Sequence, residues 1–364
     1  MDNPDLQRLR DEIGEIDRQI VELAARRSEL AAMVGEAKRE TGAAIRDFSR
    51  EKEVVGRARE IATGAGLSED LAEKLMLELI RSSLVVQERD QVRASSAGTG
   101  RSALVIGGLG HMGSWFVRFL ESQGFAVAVA DPSTGDGDYQ RWHDADDRFD
   151  LYVIATPLPV TAEILSEMAA NPPEGLIFDI GSLKTPLRRG LDQLAETGAL
   201  VTSIHPMFGA DTDLLSGRHV VLVDLGNAEA TSQARKLFSS TMASIVEMDL
   251  DSHDRLIAYI LGLSHALNIA FFTALAESGE AAATLAELSS TTFDRQLDVA
   301  SQVAGENPHL YFEIQYLNQY GGESLAALGA AVDRLRAVVE AGDVAGFSSL
   351  MEDGAAYLEE TMRR

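Results

Sequence analysis

Two features of this sequence indicate chemistry: a glycine motif with a specific spacing, and a histidine at the end of an apolar run. Gly108 ends the apolar run 103–108 and forms with Gly110 and Gly113 the pattern G-x-G-x-x-G, which lets a backbone approach a diphosphate. His205 ends another apolar run and precedes a proline, so its imidazole is held rigidly. Such a ring can take up a proton near neutral pH, although a purely structural histidine is the alternative. The two features indicate chemistry on a bound dinucleotide.

The residues around the glycines have the pattern of a nucleotide-binding fold. An amphipathic helix follows the motif, and the next apolar run, AVAVAD, ends in Asp131, 21 residues after Gly110. A carboxylate in that place hydrogen-bonds the ribose 2′-hydroxyl and repels a 2′-phosphate. The cofactor predicted by this spacing is therefore NAD rather than NADP.

Further β-branched runs predict an open α/β sheet around the same motif. They lie at 150–155, 176–180, 200–206 and 219–224, with helical stretches between them. Ligands bind such sheets at the carboxyl ends of the strands. Besides His205, the candidates at those ends are Thr156 for the cofactor, Lys184 as a contact for an anionic substrate, and Ser182.

The sequence before residue 94 has a different, purely helical pattern. Apolar residues alternate in steps of three and four, which predicts a long helix packed along another helix: Leu6, Leu9, Ile13, Ile16, Ile20, Leu23, Leu30 and Val34. Arg27 interrupts this series at a position where an apolar residue is expected. A buried guanidinium without a partner costs several kcal/mol, so Arg27 must meet an anion. That anion is either a ligand or a core carboxylate.

Other cations of this helix extend the same argument. Lys38 is eleven residues beyond Arg27, close to three turns, and so shares its face; two cations favour a dianionic ligand. Arg10 is roughly 25 Å from Arg27 along a straight helix. One ligand cannot touch both from the same helix, so a functional Arg10 would act on a partner subunit.

Two more helices are predicted in this part of the chain. One begins near Asp47, with Arg50 and Glu51 in its first turns. The other spans about residues 69–89 after Ser68, a candidate N-cap. Its Ser83 and Gln87 are four residues apart and share a face.

The stretches LRDEI, ARRSELAAMVGEAK, IRDFSRE and SSLVVQ resemble the all-helical chorismate mutase family over residues 5–90. The family's site residues fall on matching residue types, namely Arg10, Arg27, Lys38, Asp47, Arg50, Glu51, Ser83 and Gln87. The family's reaction is a concerted rearrangement, so the site must fold the substrate and stabilise charge on an ether oxygen.

The resemblance also implies a role for each side chain. Arg10 and Arg27 clamp carboxylates, and Lys38 and Gln87 donate hydrogen bonds to the ether oxygen. Asp47 and Glu51 hold the ring hydroxyl, and Arg50 adds positive potential.

The combination of GSLK and HPMFG resembles the prephenate dehydrogenase family from about residue 102 to the end. This likeness implies that His205 is the catalytic base and Ser182 its supporting serine. Arg295 matches the family's arginine for a substrate carboxylate. His265 matches a pocket histidine, although a core histidine is nearly as plausible. The long apolar helices near the end resemble the family's dimer interface, which implies a homodimer.

The expected fold has three parts. An all-α mutase domain (1–93) and a flexible linker (94–101) precede an α/β Rossmann-type NAD-binding domain (102–251), and an all-α substrate and dimerisation domain (252–364) follows. The apolar segment 257–275 contains three polar residues and is interpreted as a buried core helix rather than a membrane span. Without an apolar signal near its start, the chain is expected to be cytoplasmic.

Composition excludes several classes of function. The chain contains no cysteine, which excludes disulfides, thiolate nucleophiles and cysteine-bound metals, and no metal is expected. The net charge is −25, of which −21 lies in residues 94–364, so nucleic acid and anionic membranes are repelled.

The resemblances together imply a bifunctional enzyme that converts chorismate to prephenate and then oxidises prephenate with NAD. The alternatives are the 4-amino-4-deoxy series of an antibiotic pathway, arogenate in place of prephenate, and a non-catalytic sensor of tyrosine or NAD.

Overall fold

The computed structural model describes residues 4–133, 137–145 and 148–362. The chain forms two compact units, one of residues 1–181 with 193–247 and one of residues 182–192 with 248–364. Three helices open the first unit: α1 (Pro4–Thr41), α2 (Phe48–Ala65) and α3 (Glu69–Ser95). Asp47 caps α2 as its position suggests, accepting a hydrogen bond of 3.0 Å from the Arg50 backbone. Ser68 precedes α3 but makes no side-chain cap bond.

The apolar series of α1 finds little cover within the chain. Gly35 is the one buried residue of this helix, and Ile13 and Leu23 are 58% and 66% exposed. Only the second half of α1 packs on α3, through Arg27 and the residues near Gly35. The packing partner that the series predicts is therefore not supplied by another part of the described chain.

The segment expected to be a flexible linker forms a turn. Helix α3 continues to Ser95, six residues beyond its predicted end, and Val92 belongs to the core of the following domain. The Gly98 N–H donates to the Gln123 carbonyl at 3.0 Å. A Cβ on Gly98 would lie 2.0 Å from the Phe125 ring, so the turn is packed tightly against the domain. The small residues of this turn thus serve close packing, and the flexibility expected of residues 94–101 stays a prediction.

Seven strands form one sheet in the order β2-β1-β3-β4-β5-β6-β7. The strands are β1 (Ser102–Ile106), β2 (Ala126–Ala130), β3 (Leu151–Ile154), β4 (Leu176–Asp179), β5 (Leu200–Pro206), β6 (His219–Val223) and β7 (Ser244–Met248). Strands β1 to β5 pair in parallel, and β6 is antiparallel to β5. The chain order reverses at β1, which lies between β2 and β3, and such a switch point is where parallel sheets bind ligands.

The helices that connect the strands are α4 (His111–Ser122), α5 (Leu158–Ala170), α6 (Arg188–Glu196) and α7 (Ala228–Phe238). Strands β1, β3, β4 and β5 are buried almost throughout, which explains their continuous apolar runs. Strand β7 was not predicted, because it is partly exposed at the sheet edge and lacks such a run.

The second unit is helical, as predicted. Its helices are α8 (Leu250–Ile257), α9 (Ser264–Glu277), α10 (Ala282–Glu287), α11 (Thr291–Gly305), α12 (Pro308–Tyr316), α13 (Gly321–Glu340) and α14 (Val344–Met362). A π-helical turn, Ala258–Leu263, joins α8 to α9 without a break.

The continuous stretch Leu250–Glu277 is, among the described residues, the one helix long and apolar enough to cross a membrane. The prediction of a buried core helix holds for only part of it. Ala258 and Ala266 are buried, whereas Ile260 and Leu267 are about half exposed. Asn268 receives a hydrogen bond from Gln296, a polar contact unsuited to lipid. One such helix is weak evidence for a membrane span.

Candidate active sites

The glycine motif lies at the carboxyl end of β1 and opens α4. Gly107 has φ +80° and would bring a Cβ to 2.7 Å from the Ala155 carbonyl, so only glycine fits there. A Cβ on Gly113 would lie 2.0 Å from the Gly107 carbonyl, and one on Gly108 would lie 2.8 Å from Val129. Gly110 caps α4. Gly108 and Gly113 thus allow close packing, while Gly107 and Gly110 line the adjoining cavity.

That cavity has a volume of about 610 Å³ and extends from the glycines to the end of β2. Asp131 lies on its wall, where its carboxylate accepts hydrogen bonds from the Leu109 and Ser133 backbones at 3.1 and 2.9 Å. Thr156 borders the cavity from the end of β3. The backbone cradle, the free N-terminus of α4 and the carboxylate fit a dinucleotide with an unmodified ribose.

Three cavity residues were missed by the sequence analysis. Arg141, Trp142 and His143 lie on the wall beside Asp131, where Arg141 caps the short helical turn Trp142–Asp144. The Trp142 indole is fixed by a 3.0 Å hydrogen bond to Glu167 of α5. This bond holds the indole on the cavity wall. Local sequence gave no signal for it, because the contact depends on the packing of α5.

His205 is the penultimate residue of β5 and is buried, with 5% of its surface exposed. It lies opposite Val221 of the antiparallel strand β6, whereas the pairing of β5 with β4 ends at Ser203, so β6 fixes the backbone at His205. The carboxyl ends of β1, β3, β4 and β5 meet at one edge of the sheet. The structure therefore places His205 at the same edge as the glycine motif, as predicted.

In the second unit, the segment with Ser182 and Lys184 is fixed by Asp254, a residue that the sequence analysis missed. The Asp254 carboxylate accepts hydrogen bonds from the Lys184 backbone at 2.9 Å and from the Thr185 hydroxyl at 2.5 Å. Burial raises the pKa of Asp254, but hydrogen bonds from His253 and Thr185 outweigh burial and hold it below its usual value. The Ser182 hydroxyl is buried without a partner within the described chain.

His265 and Arg295 also belong to this unit, on helices α9 and α11. These helices are joined by the hydrogen bond from Gln296 to Asn268. The His265 Nδ1 atom is buried without a partner within the described chain, its ring packs on Tyr311, and burial lowers its pKa. Arg295 is exposed.

Between α1 and α3 the structure brings together three predicted mutase residues. The Arg27 guanidinium donates to the Leu79 carbonyl and to the Ser83 hydroxyl, both at 2.8 Å. Gln87 donates to the Ala31 carbonyl, and its side-chain oxygen is buried without a partner within the described chain. Within the described residues no carboxylate contacts Arg27, and both of its hydrogen-bond acceptors are neutral. A ligand for Arg27 therefore stays a prediction.

Gly35 was also missed, although it makes this arrangement possible. A Cβ there would lie 2.8 Å from Gln87 Cγ, so a side chain at this position would displace Gln87. A glycine inside a strongly helical stretch was the available signal.

The remaining mutase candidates lie around the α1–α2 connection, except for Arg10. Lys38 donates from Nζ to the Ile45 carbonyl at 2.6 Å. Glu51 pairs with Arg46 through two bonds of 2.9 Å, so its carboxylate is already engaged by a neighbour. Asp47 is the α2 cap, and Arg50 pairs with Glu53 at 2.6 Å. Arg10 is exposed near the start of α1, about 25 Å from Arg27.

Two mutase-side residues also bind the loop that follows His205. Glu88, next to Gln87, is buried, and its carboxylate accepts from the Leu215 and Met242 backbones at 2.8 and 2.5 Å. Burial raises the pKa of this carboxyl, and these two hydrogen bonds oppose that change. Arg46 donates to the Ser216 hydroxyl at 2.7 Å. The three helices and the sheet are therefore joined by polar contacts beside both candidate sites.

The fold and the cavity define a dinucleotide-binding dehydrogenase. A three-helix domain precedes its sheet in the chain. Comparisons with known proteins agree with this class. The chorismate mutase type II model matches residues 9–88. The models for the nucleotide-binding and dimerization domains of prephenate dehydrogenase match residues 128–247 and 249–353.

Similar proteins match either most of the chain or one of its parts. The T-protein of Enterobacter agglomerans is 28% identical over 85% of this chain and 81% of its own length. A chorismate mutase of Methanocaldococcus jannaschii is 33% identical over 23% of this chain and 85% of its own length. A 4-amino-4-deoxyprephenate dehydrogenase of Streptomyces pristinaespiralis is 28% identical over 71% of this chain and 91% of its own length.

Among solved structures, prephenate dehydrogenase of Aquifex aeolicus in complex with hydroxyphenyl propionate and NAD+ has a TM-score of 0.55 and 17% identity. The similarity covers 71% of this chain and 98% of that one, and it concerns the fold. The chain belongs to the chorismate mutase family in its first part and to the prephenate dehydrogenase family in the rest. The predicted three-part fold is confirmed.

Proposed function

We propose that this chain is a bifunctional enzyme of tyrosine biosynthesis. It rearranges chorismate to prephenate, and then oxidises and decarboxylates prephenate to 4-hydroxyphenylpyruvate with NAD. The observation that supports this best is the presence in one chain of two separate polar constellations. One is centred on Arg27 between α1 and α3, and the other combines the glycine cradle with His205 at the sheet edge.

The mutase step needs only binding and charge stabilisation. Arg27 approaches the substrate with a guanidinium whose protein partners are neutral, so it can bind a carboxylate without first breaking an ion pair. Gln87 is fixed by the Ala31 carbonyl, and together with Lys38 it serves the ether oxygen. The Glu51 carboxylate, which is predicted to hold the ring hydroxyl of the substrate, already accepts hydrogen bonds from Arg46. It must therefore bind the hydroxyl and Arg46 at the same time, which limits its predicted role.

The oxidation step uses the second constellation. When bound, NAD would be held by the backbone at the α4 N-terminus and by Asp131, and it would accept the hydride from the substrate carbon that carries the hydroxyl. His205 accepts the hydroxyl proton as the substrate carbonyl forms. Loss of the ring carboxylate as carbon dioxide then produces an aromatic ring, which makes the step irreversible. Ser182 supports the histidine, and Arg295, His265 and Lys184 bind the anionic substrate.

A homodimer is part of the proposal. The exposed apolar series of α1 and the exposed side of α9 are surfaces that a second copy would cover. A cytoplasmic location follows from the substrates, and the acidic charge argues against nucleic acid and membrane partners.

The whole proposal is tested by a spectrophotometric assay with chorismate and NAD. Chorismate alone should disappear without a cofactor, and NADH should appear only after prephenate has formed. Parallel assays with the 4-amino-4-deoxy compounds and with arogenate identify the substrate series. A chain that binds NAD but turns over none of these substrates would be a sensor, and the proposal would be wrong.

Cofactor choice is expected to depend on Asp131. The parent should strongly prefer NAD, and Asp131→Ser should narrow the preference over NADP by removing repulsion of the 2′-phosphate. Because Asp131 also accepts from Leu109 in the glycine loop, the KM for NAD should rise as well. Steady-state kinetics with both cofactors measure these changes.

Asp138→Ser is the matched control for this prediction. Asp138 accepts from the Val129 backbone of the same strand but does not line the cavity, so its loss should leave the preference unchanged. Equal use of NAD and NADP by the parent would contradict the assignment of Asp131.

A further inference from the structure

A second cavity, of about 420 Å³, lies between α3 and α4 and is used by neither proposed reaction. Its wall combines cations with aromatic rings: Arg89, Arg93, Arg118, Trp115 and Phe119. All of these residues belong to the first compact unit. The volume is in the range of sites that enclose small organic molecules.

The three arginines of this cavity lack neutralising partners. Arg89 and Arg93 are one turn apart on α3, and Arg118 is on α4. All three are exposed, and within residues 4–133, 137–145 and 148–362 none of their guanidinium groups makes an ion pair or a side-chain hydrogen bond. Like charges one helical turn apart repel each other. In a chain with 57 acidic and 32 basic residues, three unpaired arginines around one cavity indicate a bound anion.

The acidic residues of the cavity do not supply that anion. Both oxygens of the buried Glu88 are occupied by the Leu215 and Met242 backbones. Asp213 is exposed at the rim, and no ion pair joins it to an arginine of the described chain. Two acids against three arginines leave an excess positive charge.

The floor of the cavity is aromatic. The rings of Trp115 and Phe119 stack with their centroids 4.9 Å apart, and both residues are 92% buried, with 8% exposed. The indole N–H already donates to the Thr212 carbonyl at 3.0 Å, so the exposed part of the ring is apolar. Such a floor favours contact with another flat ring over contact with a hydrated inorganic ion.

We propose that this cavity binds a small aromatic carboxylate. Its carboxylate group is held by the arginines, whose forked donors match two oxygen atoms, and its ring rests on Trp115 and Phe119. Binding at this place depends on neither catalytic assignment. A failure of the assay above and a failure of this proposal are therefore distinguishable.

The test uses the intrinsic fluorescence of Trp115 in the full chain. The sequence has two tryptophans, so Trp142→Phe leaves Trp115 as the only indole. Titration with 3-phenylpropionate should produce a saturable change in emission. The uncharged 3-phenylpropanamide, which has the same ring, should produce none. Inorganic phosphate and acetate should each bind much more weakly than the aromatic acid.

Variants in the same background locate the site. Arg93→Gln combined with Arg118→Gln should weaken binding about tenfold or more, as expected for the loss of charge-assisted hydrogen bonds. Arg93→Lys keeps the charge and should weaken it less, which keeps the test valid if the double variant does not fold. Arg81→Gln is the matched control, since Arg81 is exposed on the same helix but does not line the cavity.

Three results would overturn the proposal. The first is an emission that does not respond to 3-phenylpropionate. The second is a response that survives the arginine changes, or that disappears with Arg295→Gln, because the probe would then be binding elsewhere. The third is an equal response to phosphate, which would make this a site for simple anions.

Discussion

His205→Asn is expected to lower the rate of prephenate oxidation by about 10²- to 10⁴-fold, the usual contribution of a general base. Asparagine can still donate or accept a hydrogen bond, but it cannot take up the hydroxyl proton. Chorismate mutase activity of the same variant should remain near the parental value, because the Arg27 constellation lies on other elements. Separate assays with prephenate plus NAD and with chorismate alone measure the two effects.

The reciprocal variant, Arg27→Ala, should lose the mutase activity and keep most of the oxidation. Removal of one charge-stabilising donor typically costs about 10²- to 10³-fold in rate.

His219→Asn is the control for His205→Asn, because His219 is exposed at the start of the neighbouring strand β6. Near-parental oxidation by His205→Asn would show that the base has been wrongly assigned.

Mixed dimers of Arg10→Ala and Arg27→Ala chains are expected to recover mutase activity that neither variant has alone. Arg10 and Arg27 are about 25 Å apart on one unbroken helix, too far to bind one substrate together. The exposed apolar series of α1 indicates that a partner subunit covers this helix. Each site would then combine Arg27 of one chain with Arg10 of the other. A mixed dimer has one intact site, and so should reach up to half of the parental activity.

A dimer of the parent with the double variant Arg10→Ala/Arg27→Ala is the matched control. If the site is shared between subunits, both sites of this dimer lack one arginine, and it should be inactive. If each chain builds its own site, the two results are exchanged: the control has half activity, and the mixed dimer of single variants has none. Purification through two different affinity tags gives dimers of defined composition for both assays.

The residues that sequence could identify are those whose roles are local. Gly113 belongs to a motif that opens a helix after a strand, and His205 lies near the end of a strand; the structure places both accordingly. Arg27 was identifiable because it interrupts an apolar series. Its partners, Leu79 and Ser83, lie more than 50 residues further along the chain and could not be predicted from that series.

The missed residues depend on contacts between distant segments. Asp254 fixes a loop about 70 residues earlier in the chain, and Glu88 binds the Leu215 backbone 127 residues later. Neither carboxylate is part of a pattern in its own helix. Residues 94–101 also make contacts with a distant segment. Small residues favour flexibility when they are considered alone. At position 98, however, glycine is the only residue type that leaves space for the Phe125 ring.

The turn at Gly98 has a consequence for how the protein folds and how it can be divided. Val92, near the end of the last mutase helix, belongs to the same apolar core as Trp115 and Phe119. Cutting the chain after α3 would expose part of that core and would leave the buried Glu88 carboxylate without its two backbone donors. We therefore expect the three helices and the sheet to unfold in a single cooperative transition. A cut at this junction is expected to lower the stability of both parts.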